Sequence, residues 1–207
     1  MKIEIRRNLV RVLAVVGLIW VIYFVSIPLA VTGIDLLQWS LIPRSVQGLP
    51  GILTMPFLHD GLEHLLGNTV PLTVLLLFLA FTRSTPWRTV ACLIVLSGVF
   101  TWLAGLSSPV VGASGLIYAL TAYLMTGGLI ERKPASAIAA VLVGVLYGST
   151  LFWALLPTAG KHVAWDAHLL SAAAGAVFAW QTLKKPAVAD PPPTQIPAVP
   201  SPPVTSS

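Results

Sequence analysis

Charged residues are scarce in this sequence. Only 9% of its 207 residues are Asp, Glu, Lys or Arg, whereas 56% are hydrophobic. A soluble globular domain has about 25% charged residues. The composition therefore excludes an ordinary soluble domain and predicts an integral membrane protein.

Cysteine and internal repeats are also lacking. The single cysteine, Cys92, lies in an apolar run, so the chain can form neither an intrachain disulfide nor a Cys-x-x-Cys redox motif. We interpret Cys92 as a small buried hydrophobic residue. The sequence shows no internal repeat, and the paired halves that build many transporters are therefore missing.

Six apolar runs dominate the chain, each near the roughly 20 residues that a membrane-spanning helix requires. They cover residues 12–31, 62–81, 90–106, 114–130, 135–156 and 167–183. They predict an all-α, polytopic membrane protein with six transmembrane helices, of which the fourth is short. The first run is too long for a secretion signal and no clear cleavage site follows it, so we expect it to be retained.

The distribution of lysine and arginine predicts the orientation in the membrane. If the N-terminus is cytoplasmic, ten basic residues fall on the inner side, namely Lys2, Arg6, Arg7, Arg11, Arg83, Arg88, Arg132, Lys133, Lys184 and Lys185. Only Arg44 and Lys161 then fall outside. Inner loops carry such an excess. We expect a multi-pass protein of a bacterial cytoplasmic membrane with both termini inside, and no nucleic-acid partner.

Two segments lie outside the predicted helices. Residues 32–61 are too long for a tight turn and contain scattered Trp, Leu and Ile, which predicts a structured loop at the outer interface. Residues 186–207 contain eight prolines and a single charge, which predicts a disordered cytoplasmic tail. The expected organisation is a transmembrane domain over residues 1–185 followed by this tail.

Polar residues cluster where the second run begins, in the stretch HDGLEHLLGN. Such residues are costly in a bundle and therefore indicate functional positions. His64 and Asn68 are spaced i, i+4 and share one face of a helix, while His59 precedes that helix. Asp60 and Glu63 have the spacing of a capping box, which is a structural role.

Metal ligation is a weak alternative for these residues. His59 and His64 lack the His-Glu-x-x-His spacing of a zinc site. The start of the sixth run supplies three further residues of ligand type, His162, Asp166 and His168. His162 falls in the preceding loop, however, and we expect neither a metal nor a cofactor.

A serine flanked by glycines opens the fourth run, in the stretch GASG over residues 112–115. A serine hydroxyl is a poor nucleophile until a base takes its proton, and the attacked carbonyl needs donors for its developing charge. A helix start supplies free N–H groups and the positive end of the dipole. The run spans about 25 Å, less than a ~30 Å hydrocarbon core, so we expect Ser114 to lie below the outer surface.

Three motifs in the expected order, HDGLEHLLGN, GASG and AHLLSAAAG, resemble the rhomboid family of intramembrane serine proteases. The resemblance covers nearly the whole chain from the first helix through the sixth. It implies that Ser114 is the nucleophile and His168 the general base. It also implies that His64 and Asn68 donate to the oxyanion, with Gly112 supporting the turn before the serine.

Further residues fit the resemblance in part. Tyr118 resembles the tyrosine of the family that packs on the catalytic imidazole, and His59 resembles a histidine with a mainly structural role. Ser171 stands where the family usually has glycine, but it is still small enough for close contact between the fourth and sixth helices. Asp166 is two residues from His168 and does not face it, so we expect a Ser-His dyad, with Asp166 capping or solvated.

The resemblance implies a protease that hydrolyses peptide bonds in or near transmembrane segments of other membrane proteins. Its expected partners are those substrates and membrane lipids. Two alternatives remain open, a non-catalytic rhomboid-like scaffold that binds transmembrane clients and a small transporter. A scaffold needs neither Ser114 nor His168, and the presence of both therefore argues against it.

Overall fold

The computed structural model describes residues 2–106, 109–131, 133–156 and 164–183. These residues form six long helices and one short helix, which are joined by loops and one-turn 3-10 segments. In chain order the helices are α1 (Lys2–Val31), α2 (Gly51–Thr54), α3 (Leu62–Thr82), α4 (Pro86–Ala104), α5 (Ser114–Glu131), α6 (Pro134–Trp153) and α7 (Trp165–Leu183). The predicted proline-rich tail and His162 lie outside the described residues.

The six long helices match the six apolar runs to within a few residues, except at the start of α1. That helix begins at Lys2, because the basic segment before residue 12 continues it. Prolines mark two of the other starts, Pro86 in α4 and Pro134 in α6. Proline is favoured there because its missing N–H would have no intrahelical acceptor.

Among the residues that the structure describes, three helices are long and apolar enough to cross a membrane: α3, α4 and the part of α1 that begins at Glu4. The described residues form helices and no strands, which confirms the all-α prediction, whereas three of the six predicted membrane-spanning helices meet the length and apolarity that a span requires.

The packing of α5 against α7 is closest at small residues. A side chain added at Gly175 of α7 would run into the backbone of Ala119 in α5. One added at Gly115 would approach the Ser171 hydroxyl oxygen at 3.2 Å. Small residues let two helix backbones approach closely. The structure thus agrees with the interpretation of Ser171 as a packing residue.

The segment between α1 and α3 is structured, as its composition predicts. Leu41 pairs with Val110, the residue four positions before the serine, through backbone hydrogen bonds of 3.1 and 2.8 Å. The Arg44 guanidinium donates to the carbonyl of Gly105 at 2.6 Å, and the Trp102 indole donates to Ser45 at 2.9 Å. The loop therefore braces the end of α4 and the chain that leads to α5.

Helix α1 lies at the periphery of the bundle, since only 11% of its most apolar stretch is buried. The Trp20 indole donates to the Thr69 hydroxyl at 3.1 Å and links α1 to α3. The outward surface of the bundle also carries Cys92, which is exposed on α4. The prediction that this cysteine is buried is wrong, because an apolar run in a membrane protein does not reveal which face meets lipid.

Candidate active site

Ser114 is the first residue of α5 and is half-buried. The turn before it depends on Gly112, whose φ of +101° lies in the left-handed region that favours glycine. The Gly112 N–H donates to the carbonyl of Met55 at 3.0 Å, which holds this turn against the loop. The local sequence therefore places the serine hydroxyl at a helix N-terminus, beside backbone N–H groups that have no intrahelical acceptor.

The His168 ring lies against this serine. Its Nε2 is 3.0 Å from Ser114 Oγ, and its Nδ1 is 3.1 Å from the carbonyl oxygen of Ala154. Because a carbonyl can only accept, the proton of the neutral ring must be on Nδ1. Nε2 then carries the lone pair and accepts from the serine hydroxyl. This geometry suits proton abstraction from Ser114.

Tyr118, one turn after the serine in α5, stacks on the His168 ring. The ring centroids are 4.2 Å apart and the planes differ by 15°. Both side chains are largely buried. The stacking and the Ala154 hydrogen bond together limit the rotation of the imidazole.

Asp166 forms no hydrogen bond to His168 in the described part of the chain. Its Oδ2 accepts from the backbone N–H of Leu106 at 2.6 Å, and it thereby ties α7 to the segment that follows α4. We expected Asp166 to cap a helix or face solvent. The structure instead shows it bound to the backbone of Leu106, sixty residues earlier in the chain. The described partner of the His168 Nδ1 is the neutral carbonyl of Ala154.

His64 and Asn68 reach the site from the first two turns of α3. A side chain added at Gly112 would run into His64 Nε2 and approach Asn68 Nδ2 at 3.3 Å. The absence of a side chain at Gly112 therefore leaves a space bordered by both nitrogens, close to the start of α5. The amide nitrogen of Asn68 is a donor, and a donor beside this space can stabilise a developing oxyanion.

His59 orients Asn68. Its Nε2 is 3.2 Å from Asn68 Nδ2 and 3.5 Å from the Ala113 nitrogen, and both of these groups donate to it. Burial, and after it the nearby His64, lower the pKa of His59 from 6.5 to about 4, so the ring is a neutral acceptor near pH 7. The second amide hydrogen of Asn68 remains to be donated elsewhere.

Asp60 orients the ring of His64. The Nδ1 of His64 is 2.7 Å from Asp60 Oδ1. Because a carboxylate accepts, Nδ1 carries a proton, and Nε2 then donates only when the ring is protonated on both nitrogens. The capping-box prediction for Asp60 and Glu63 is wrong, since Gly61 is the N-cap of α3 and no side chain caps it.

A family model, the Rhomboid domain, matches residues 47–185. The chain belongs to the rhomboid family. The match covers α2 through α7, and hence every residue of the site described above. Helix α1 lies before the matched region.

Relatives of this rhomboid chain occur in mycobacteria. Uncharacterised proteins of Mycobacterium tuberculosis and Mycobacterium bovis are each 36% identical to it over 182 residues, covering 80% of this chain and 75% of the relative. An uncharacterised protein of Mycobacterium leprae is 35% identical over 140 residues, covering 63% of this chain and 55% of the relative. These names assign no activity, so the activity must be argued from the site.

Sequence reasoning missed two partners in this rhomboid site. The carbonyl of Ala154 leaves no trace in the sequence, because every residue carries one. The pairing of Asp60 with His64 did leave a signal, since the two are spaced i, i+4 on a helix start. That spacing competes with the capping-box spacing from Asp60 to Glu63, which the sequence favours equally well.

Proposed function

We propose that this protein is an intramembrane serine protease that cleaves transmembrane segments of other membrane proteins. One observation carries the proposal, the continuous hydrogen-bonded series from Ser114 Oγ through the His168 ring to the Ala154 carbonyl. This series supplies a nucleophile, a base and a group that orients the base. Family membership supports the same reaction class.

In the first step of the proposed reaction, His168 Nε2 takes the Ser114 proton as Oγ attacks the scissile carbonyl. The carbonyl oxygen becomes negative beside Asn68, His64 and the first backbone N–H groups of α5. Collapse of this intermediate breaks the C–N bond, and the His168 imidazolium gives its proton to the leaving amine. An acyl-enzyme ester on Ser114 remains.

A water molecule completes the turnover. His168 takes a proton from the water as its oxygen attacks the ester, and returns that proton to Ser114 Oγ as the ester bond breaks. Water must therefore reach Ser114. The irregular backbone before α5 supports this, because non-helical chain at membrane depth is tolerated where it is buried in protein or lines a wet cavity.

The proposal includes six membrane crossings by α1 and α3 through α7, with the site near the outer face and both termini cytoplasmic. The ten-to-two distribution of basic residues supports this orientation. In a Cys92→Ala background, a cysteine at Val46, which is 81% exposed, should react with an impermeant maleimide added outside. A cysteine at the exposed Ser84 should not. The reverse labelling pattern would overturn the orientation.

Cleavage in proteoliposomes tests the function. Purified protein should cut a set of single-span model substrates that carry small or helix-breaking residues near the outer end of the span. Ser114→Ala is the matched control, because it removes one oxygen atom from a half-buried position and should leave thermal unfolding unchanged. If the two proteins give the same products, or if neither cuts any substrate while the substrates are bound, the scaffold alternative replaces the protease.

A further inference from the structure

A second candidate site lies at the opposite end of the bundle from Ser114. The start of α1, the end of α3 and the start of α4 enclose an open cavity of about 430 Å³. Its lining contains four arginines, Arg7, Arg11, Arg83 and Arg88, against one acidic residue, Glu4. A strongly positive cavity of this size suits an anionic ligand.

Three of these arginines keep their charge available to a ligand. Arg7 pairs with Glu4 at 3.5 Å, but the two side chains are 57% and 69% exposed, so this pair is weak. The Arg11 guanidinium lies 6.0 Å from the centre of the Trp87 ring, and Arg88 is exposed in the first turn of α4. Guanidinium groups bind phosphate through paired N–H donors.

The fourth arginine belongs to the wall of the cavity. The side chain of Arg83 is only 7% exposed and forms an ion pair with Glu131 at the end of α5. It also lies over the Tyr123 ring, with its guanidinium carbon 5.2 Å from the ring centre. Arg83 therefore fixes the end of α3 and is a poor choice for substitution.

A side-chain bridge makes the cavity a fixed junction between helices. The Asn8 amide of α1 donates to the carbonyl of Ala80 in α3 at 3.3 Å, and the Trp87 indole of α4 donates to Asn8 Oδ1 at 3.4 Å. Three helices meet at this one side chain. The basic groups around it are consequently held near one another.

Apolar side chains share the cavity with the arginines. Ile5 is 39% exposed and Phe81 is 56% exposed, and both line it. At this end of a membrane-spanning bundle, such side chains would lie beside acyl chains, next to cations at headgroup level. A soluble anion would use only the cations, whereas a lipid would use both.

We propose that this cavity binds the phosphate of an anionic phospholipid, whose acyl chains lie along Ile5 and Phe81. Basic recesses between transmembrane helices are suited to such headgroups. A general excess of inner basic residues does not require this convergence, as Arg6 shows, because it is exposed on the same helix but does not line the cavity. The proposal does not depend on the protease activity.

Binding can be measured with the full-length protein in a mild detergent by titration and native mass spectrometry. The probes are phosphatidylglycerol, phosphatidylcholine with the same acyl chains, and inorganic phosphate. We expect phosphatidylglycerol to bind at one saturable site and to survive an excess of inorganic phosphate. Equal affinity for phosphatidylcholine would overturn the anionic selectivity, and displacement by phosphate alone would overturn the lipid assignment.

Charge-removing variants locate the site. Arg11→Gln and Arg88→Gln should each weaken phosphatidylglycerol binding roughly fivefold, the usual contribution of one basic residue near a membrane surface. Arg6→Gln removes the same charge from α1 outside the cavity and should leave the affinity unchanged. If Arg6→Gln weakens binding as much as Arg11→Gln, diffuse surface charge explains the binding and the site does not exist. Thermal unfolding of each variant checks that it is folded.

Discussion

On the α7 side of the site, His168 donates its Nδ1 proton to the carbonyl of Ala154, whereas on the α3 side His64 donates its Nδ1 proton to the carboxylate of Asp60. The Nε2 atom of His168 lies beside Ser114, and the Nε2 atom of His64 lies beside Gly112, two residues earlier. A neutral acceptor favours a neutral ring, whose Nε2 accepts. A carboxylate instead balances the charge of a ring that is protonated on both nitrogens, whose Nε2 donates.

The comparison shows how one side chain can be given two roles by the partner of its far nitrogen. In the proposed mechanism, His168 removes a proton from Ser114 and His64 stabilises the oxyanion. Burial follows the same division. His168 is 9% exposed, while the side chains of His64 and Asp60 are 32% and 60% exposed. Solvent reaches the hydrogen-bonded pair of His64 and Asp60, whereas the base is kept largely dry.

Removing each ring in turn should give the largest effect and the clearest contrast. His168→Ala removes the base and should lower the cleavage rate at least about 10⁴-fold, as for other members of such catalytic groups. His64→Ala removes one oxyanion donor and should cost at most roughly 10²–10³-fold. Rates in proteoliposomes, with thermal unfolding as the check on folding, decide this. Equal losses in two folded variants would show that the division of roles is wrong.

Filling the space between the two sides should have the next largest effect. Gly112→Ala places a methyl group against His64 Nε2 and Asn68 Nδ2, so the cleavage rate should fall by about 10³ or more. Gly33→Ala is the matched control, since Gly33 also has a positive φ of 88° but nothing lies within 4 Å of the added carbon. Both variants should lose some thermal stability. Activity in Gly112→Ala equal to that of Gly33→Ala would exclude an oxyanion space at this position.

The fold was predictable from the sequence because the length of an apolar run is a sufficient signal for a helix. The sequence did not predict which face of each helix is buried, as the exposed Cys92 shows. In lipid both faces of a helix are apolar, so periodicity no longer separates inside from outside. The i, i+4 spacing placed His64 with Asn68, and the glycines around Ser114 marked the turn. The Ala154 carbonyl could not be found, because a backbone acceptor has no residue type.

Truncation of Asn68 tests the neutral donor on the α3 side. Its amide is aimed by the buried His59, so Asn68→Ala should lower the cleavage rate by roughly 10²–10³. Asn68→Asp keeps the shape but replaces the donor by an acceptor, and it should be no more active than Asn68→Ala. Cleavage rates of the two variants are the measurement. Wild-type activity in either one would remove Asn68 from the mechanism.

The smallest effect is expected at the exposed ion pair. Asp60→Asn preserves an oxygen that can accept from His64 Nδ1 but removes the negative charge beside the ring. Because the pair is exposed, the cleavage rate should fall only about two- to fivefold. The loss should be larger at low ionic strength than at high ionic strength, because salt screens an exposed charge, and it should be absent in a His64→Ala background. A twofold or larger loss in that background would mean that Asp60 acts through some other group.

Labelling with a fluorophosphonate tests the central claim, that His168 activates Ser114, without any knowledge of the substrate. In the folded wild type, peptide mass spectrometry should find the phosphonyl group on Ser114 Oγ, with fluoride released. Asn68→Ala should be labelled at the same residue more slowly, because its base is intact, whereas His168→Ala should remain unlabelled over the same time. Labelling at a different residue, or labelling of His168→Ala at the wild-type rate, would contradict the account.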